Sequence, residues 1–319
     1  MDAFFIMMRN VLLFVALALP GYLLVKTKVI KQEHSAPFSK LLMYVGLPFL
    51  LISGTINNLT FKKETILSMA LVALVGIAYT FVAFLASKPL TSHEKNEKTR
   101  GIMRFAIMFS NNGFLGLPLA IAVFGADSPV FTILIILNII TNIMLYTLGA
   151  YLVSGDKNSI NLKKAFLSPV LIAFLIGTIL NLIKIKELIP EIATYSDYFS
   201  NVVTPVSMVV LGMKLGDVKL SSLFCSRKTY YVSFLKLIAL PAVITTLLIV
   251  LKTFLGDFIS NEIILGFFVA FSMPTAGLAS TFADTYSGDT EHAVTLTLGT
   301  TLISIVTIPL LYWIVCLFL

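Results

Sequence analysis

The segment AIMFSNNGFLGLPLA, residues 106–120, decides how this chain is organised. It lies inside an apolar run, yet it carries Asn111, Asn112 and Gly113, with Pro118 a few residues later. Proline removes a backbone donor and clashes with the preceding turn, and glycine loosens the backbone further. We therefore expect the helix to break at this point. The freed N–H and C=O groups cannot face lipid, so they should line an enclosed cavity or bind a ligand.

The same pattern returns in the second half of the chain. FVAFSMPTAGLASTF, residues 268–282, resembles the first segment at an offset of 162, which aligns Pro274 with Asn112. FSKLLMYVGLPFLLISGTI, residues 38–56, likewise resembles FSNVVTPVSMVVLGMKLGD, residues 199–217, at an offset of 161. Two matches at nearly one offset indicate an internal repeat.

The composition is that of a membrane protein. Of the 319 residues 58% are hydrophobic and 12% charged, whereas soluble domains are about 25% charged. Mean hydropathy is +0.96. The basic residues lie in short loops between apolar runs, which argues against a nucleic-acid partner and for a lipid bilayer. Ten runs reach the length of about 20 residues that spans a bilayer, at 4–25, 38–57, 65–87, 105–124, 129–153, 165–183, 198–215, 230–251, 263–283 and 293–319.

The offset divides these spans into two sets of five. Because five is odd, the second set enters the membrane from the opposite side, so the repeats are inverted. We predict an all-α membrane protein with a first repeat at 1–154, a short cytoplasmic linker at 155–164 and an inverted repeat at 165–319. The fourth and ninth spans are its broken, crossing helices. Inverted repeats with broken helices recur among secondary transporters, whose sites lie near the membrane midplane.

The loop charges predict the orientation. With the N-terminus outside, the inner loops hold fifteen lysines and arginines and the outer loops five, which places both termini outside the plasma (inner) membrane. We expect the first apolar run to be a retained span and not a cleaved signal peptide, because the residues before it include Asp2 and no basic residue. Cys225 lies in a basic loop and Cys316 near the far end of the last span, so no disulfide or metal site is expected.

The two breaks supply the first candidate substrate-binding residues, which are Asn111, Asn112, Gly113, Pro274 and Thr275. Half-helices that begin at the midplane would direct their partial positive charge at one spot, which suits an anion. Single prolines and glycines in membrane helices also serve as kinks and packing sites. The recurrence of the pattern at matching positions in both halves favours a substrate-binding site over kinks or packing contacts.

A second candidate set lies on neighbouring spans. Asn138 and Asn142 share one face of the fifth span with Thr141, and adding 162 to the two asparagines gives Thr300 and Ser304. Asn138, Asn142 and Ser304 are candidate substrate contacts. Hydrogen bonds between neighbouring helices would explain these polar side chains equally well.

Helix-break or hinge positions are predicted at Gly116, Pro118, Pro48 and Pro205. Proline at these places interrupts the helical hydrogen-bond ladder. Pro48 and Pro205 lie one helical turn apart in the repeat, so each is either a hinge or a kink without a role in transport.

Charged residues inside the spans are few. None of the sixteen acidic residues falls firmly within a predicted span, which argues against a cation substrate or a carboxylate proton relay. The lack of acidic residues within the spans is still compatible with sodium bound by backbone carbonyls. Arg9 and Lys236 are the basic exceptions, and each is either a substrate counter-ion or a side chain that reaches for the interface. No catalytic, cofactor or metal constellation lies within the spans, so we expect no enzyme.

The residues carry a family resemblance. NNGFLGLPL at 111–119, MPTAGLAS at 273–280 and TLGTTLISIVTIPL at 297–310 together resemble the auxin efflux carrier family, and the resemblance covers nearly the whole chain. It implies ten helices in two inverted repeats, related to bile-acid sodium symporters. It also implies a scaffold that forms a homodimer and a moving transport domain. Asn112 and Pro274 would mark the crossing, with Asn142 beside it.

The predicted function is therefore alternating-access transport of a small organic anion, elevator-like in mechanism. The short linker resembles the compact bacterial members, which implies malate, malonate or a similar mono- or dicarboxylate. Sodium-coupled anion symport is the alternative, and a channel or a sensor is a third class.

Overall fold

The computed structural model describes residues 2–218, 223 and 226–319, and Cys225 lies outside this part of the chain. The described residues form helices joined by short connections, with one isolated β-bridge between Ser110 and Thr275. They include eight helices long and apolar enough to cross a membrane. We label these eight α1 (Phe4–Lys26), α2 (Gln32–Asn58), α3 (Lys63–Leu90), α6 (Pro129–Ser154), α7 (Lys157–Leu182), α8 (Pro190–Gly216), α9 (Arg227–Leu255) and α12 (Thr290–Cys316).

The fourth and ninth predicted spans are not continuous helices. The fourth consists of α4 (Glu97–Met108) and α5 (Asn112–Phe124), and the ninth of α10 (Asn261–Ser272) and α11 (Ala279–Thr285). Extended backbone separates the members of each pair, at Phe109 in the first and at Met273 in the second. The interruption that the sequence predicts is therefore present in both spans.

Three prolines coincide with a local change of helix type. Pro48, Pro118 and Pro241 each follow a five-residue π-helical turn and stand at the second position of the α-helix after it. Proline lacks the N–H that would bond four residues back, and its ring clashes with that carbonyl. A wider turn relieves the clash and keeps the helix going. By contrast, α8 continues through Pro205 as α-helix.

The helices α1 and α8 pack at very short range. A Cβ atom built on Gly212 would lie 1.9 Å from the carbonyl oxygen of Ala18, and one built on Gly21 would lie 2.0 Å from that of Val209. Only glycine permits this approach. Small residues at such contacts let membrane helices gain dispersion energy along their backbones, since hydrophobic burial does little to join helices in lipid.

One expectation from the sequence is wrong. Asp197 lies two turns inside α8, because this helix begins at Pro190, whereas the hydropathy pattern predicts a span from residue 198. Its Oδ1 atom accepts a hydrogen bond from the Ser53 hydroxyl of α2 at 2.5 Å. An acidic side chain therefore does occur within a candidate membrane span, where a neighbouring helix supplies its partner.

Candidate functional site

The two broken spans meet through their backbones. The Asn111 N–H donates to the Pro274 carbonyl and the Ala276 N–H to the Phe109 carbonyl, both at 2.8 Å, so Ser110 and Thr275 face each other as an antiparallel bridge. Extended backbone in a membrane must find partners within the protein. Each break supplies the partners of the other, and we call this pairing the crossing.

Side chains complete the crossing. Thr275 is fully buried, and its hydroxyl donates to the Ala106 carbonyl in the last turn of α4 at 3.1 Å. Carbonyls in the last turn of a helix lack partners further along it. The Thr275 N–H in turn donates to the Thr300 hydroxyl of α12 at 3.2 Å. The pairing is thus anchored in two other helices.

Asn112 and Asn138 are buried beside the crossing and only partly satisfied, and Asn142 is half-buried. The Asn112 Nδ2 donates to the Thr141 hydroxyl at 3.3 Å, and the Asn142 Nδ2 donates to the Asn138 carbonyl at 2.9 Å. The Oδ1 of Asn112 and the Nδ2 of Asn138 are buried and lack a hydrogen-bond partner. Buried polar atoms without partners are rare and costly in native proteins. These two atoms keep unused hydrogen-bonding capacity beside the crossing.

A cavity of about 940 Å³ reaches the crossing from one end of the helices. Asn111, Phe114 and Gly277 belong to its wall in the middle of the broken spans, and Thr297 and Thr301 of α12 belong to it as well. A Cβ built on Gly277 would have the Asn111 Nδ2 as its nearest neighbour, at 3.7 Å. The Asn111 amide and the bare face of Gly277 are therefore side by side.

The charged residues of this cavity are mostly basic. Lys40, Lys163, Lys164 and Lys214 line it, against the acidic Glu33 and Asp284. Four positive charges against two negative ones leave an excess of two. A cavity with low-dielectric walls and charges of one sign raises the local concentration of the opposite ion. This cavity is suited to attract anions.

A second, apolar cavity of about 90 Å³ adjoins the first. Pro274 and Ser304 belong to its wall, and Thr301 lines both cavities. It is large enough for a small apolar group. A ligand at the crossing could therefore place a polar head near Asn111 and a short carbon chain towards Pro274.

The predicted site residues thus occupy three kinds of place. Asn111 lines the large cavity, and Pro274 and Ser304 line the small one. The others lie beside or behind these walls, and they are Asn112, Gly113, Thr275, Asn138 and Asn142. Gly116 packs against the Asn112 amide, since a Cβ there would lie 3.4 Å from its Oδ1.

Lys236 is the residue whose position the sequence leaves open. It belongs to neither cavity wall. It is fully buried in α9, and its Nζ donates to the Ser110 hydroxyl at 2.5 Å.

The sequence analysis does not predict the basic lining of the large cavity. Loop lysines such as Lys163 and Lys164 predict only the orientation in the membrane, because nothing in the sequence brings them to one cavity.

A cluster of charged and polar residues joins the loop before α4, where Glu94 lies, to the starts of α9 and α12. Lys228 forms a 2.5 Å ion pair with Glu94, and this hydrogen bond lowers the pKa of the carboxyl. Thr99 donates to Asp289 at 2.6 Å. Burial alone would raise the pKa of Asp289, but hydrogen bonds from Thr99 and His292 outweigh it and lower the pKa. The cluster connects α4 to the start of α12.

Comparison with known proteins identifies the family of this chain. A family model described as membrane transport protein matches residues 5–312. An uncharacterized transporter of Methanothermobacter thermautotrophicus is 28% identical over 305 residues, covering 95% of this chain and 96% of that protein. The uncharacterized transporter MJ1031 of Methanocaldococcus jannaschii is 29% identical over 321 residues, covering 96% and 98%. The predicted resemblance to auxin efflux carriers is confirmed, and the chain belongs to this family of membrane transport proteins.

Proposed function

We propose that this protein is a secondary transporter that moves a small organic anion across the membrane by alternating access. The observation that carries the proposal is the crossing, where two interrupted spans pair and a cavity of about 940 Å³ ends against them. Discontinuous helices at mid-membrane are the usual substrate site of secondary transporters. The substrate would be a mono- or dicarboxylate such as malate or malonate.

Three features support an anion. The cavity lining holds four lysines and two acidic residues. The helix α5 begins at the crossing, so its N-terminal N–H groups carry partial positive charge there. The Asn111 amide at the cavity wall offers a donor to a carboxylate oxygen.

We also propose that the chain spans the membrane ten times, in two inverted halves at residues 1–154 and 165–319. Helix order supports this, since long, long, long, broken, long recurs in each half. The loop charges support a plasma-membrane protein with both termini outside, and the large cavity would then open inwards. The family resemblance supports a homodimer and an elevator-like movement.

Sodium-coupled anion symport is the second candidate, and one observation favours it. The unpaired Oδ1 of Asn112 is an oxygen acceptor of the kind that hard cations bind. A sodium gradient should then drive substrate uptake. Uptake that is equal with and without sodium would rule out sodium coupling and indicate uncoupled transport or exchange.

The experiment uses purified protein in proteoliposomes with radiolabelled malonate, malate and lactate. Asn112→Ala is compared with Asn158→Ala, which makes the same change at an exposed position in the first turn of α7. We expect Asn112→Ala to abolish uptake while the protein stays folded, and Asn158→Ala to transport normally. Full activity in Asn112→Ala would refute the proposed site.

A further inference from the structure

Lys236 is a buried cation that the proposed function does not yet use. It lies in the π-helical turn Leu235–Ala239 of α9, and none of its surface is exposed. Its ammonium donates to Ser110, the residue that faces Thr275 across the crossing. The two residues are 126 positions apart in sequence, so tertiary packing alone brings this charge to the crossing.

The described residues provide no counter-charge for this ammonium. No carboxylate among them lies within 4.0 Å of the Lys236 Nζ. The Ser110 hydroxyl is a neutral acceptor and leaves the positive charge uncompensated. A buried charge without a partner is strongly unfavourable, and an arriving ion of opposite sign relieves that cost.

The place for such an ion is one residue away. Asn111 follows Ser110 and lines the large cavity beside Gly277. The Lys236 Nζ is bonded to Ser110, and the Cα atoms of Ser110 and Asn111 are about 3.8 Å apart, so a carboxylate held by Asn111 would lie on the order of 10 Å from the ammonium. At that separation, with an effective dielectric constant of about 20, the attraction corresponds to about 15-fold in affinity.

We propose that Lys236 is the counter-charge of the transported anion and makes this protein selective for singly charged anions. The inference rests on the proposed function and narrows its substrate class from mono- and dicarboxylates to monocarboxylates. One buried cation balances one negative charge, so a monocarboxylate leaves the loaded crossing neutral. A dianion leaves a net negative charge in a low-dielectric interior, which is costly. Lys40, Lys163 and Lys164 in the cavity lining are exposed to solvent, so they attract both kinds of anion and discriminate little between them.

A second consequence concerns the membrane potential. Lys236 bonds to the crossing itself, so it moves with the bound anion if the crossing moves. A crossing loaded with a monoanion then carries no net charge as it reorients in either direction. The membrane potential acts on a charged loaded state and not on a neutral one, so the two states are distinguishable.

The first experiment measures anion binding to purified protein by calorimetry, with acetate and lactate as monoanions and malonate as the dianion. Lys236→Met keeps the length of the side chain and removes its charge. Lys252→Met, in the same helix but bonded to Asn261 at its far end, is the matched control. We expect about 15-fold weaker monoanion binding in Lys236→Met and unchanged binding in Lys252→Met. Equal affinity in the Lys236 variant and the wild type would overturn the inference.

The second experiment needs no variant, so it stands even if Lys236→Met fails to fold. Exchange of labelled lactate for internal lactate is measured in wild-type proteoliposomes at 0 mV and at −100 mV, set with potassium and valinomycin. We expect equal rates and a lower exchange rate for malonate. Lactate exchange that changes with potential, or a preference for malonate, would contradict Lys236 as counter-charge while leaving anion transport intact. Absence of exchange with every anion would instead refute the proposed function.

Discussion

Gly277 offers a test that separates the site from the fold. It lines the large cavity, and a Cβ added to it would have only the Asn111 Nδ2 within 4 Å, at 3.7 Å. That distance is an ordinary van der Waals contact. Alanine at this position therefore fits the folded protein, yet its methyl group occupies the space where a carboxylate would meet the Asn111 amide.

The expected magnitudes differ for stability and for transport. Because the new methyl group displaces no protein atom, the free energy of unfolding should change by less than about 0.5 kcal/mol. A carboxylate pushed away from Asn111 loses one hydrogen bond to a charged group, worth about 2 kcal/mol. That corresponds to a rise in KM of about 30-fold. Gly277→Leu should remove transport altogether.

The assay combines uptake of a labelled anion in proteoliposomes with thermal unfolding of the same preparation. Gly76→Ala is the matched control, since its Cβ would press against the Leu137 side chain at 2.8 Å, away from both cavities. It should lower the Tm and leave KM unchanged. Normal KM and kcat in Gly277→Leu would show that substrate does not approach Asn111.

Two further predictions concern stability. Gly212→Ala should destabilise the protein by about 3 kcal/mol, because its Cβ would lie 1.9 Å from the Ala18 carbonyl oxygen and must separate α1 from α8; an unchanged Tm would contradict this packing. Asp289, whose pKa is lowered by hydrogen bonds from Thr99 and His292, should stabilise the fold above about pH 4 and lose that contribution as pH falls through its folded pKa. Asp289→Asn should flatten this dependence in unfolding curves recorded between pH 3 and pH 7.

Sequence reasoning found the breaks because their cause is local. Proline and glycine weaken a helix wherever they stand, so the segments around Asn111–Gly113 and around Pro274 marked the two interruptions. The repeat offset also indicated that the breaks belong together. It did not predict their register, since Ser110 pairs with Thr275 whereas the offset of 162 relates Thr275 to Gly113. Register depends on how two distant backbones satisfy their hydrogen bonds.

The remaining features depend on tertiary packing. Hydropathy placed Lys236 in a span, but only the packing of α9 against the crossing shows that it bonds to Ser110. Asp197 was missed because a helix can extend beyond its apolar stretch when a neighbour such as Ser53 supplies a partner. The lysines of the cavity come from separate segments, so no local pattern could group them.

The most direct test of alternating access at the crossing is counterflow in wild-type proteoliposomes. Labelled lactate is added outside vesicles that hold either unlabelled lactate or none. We predict saturable uptake that internal lactate accelerates, because one site faces each side in turn and returns faster when loaded. Uptake that rises linearly with concentration and ignores internal anion would indicate a channel and contradict a carrier mechanism at the crossing.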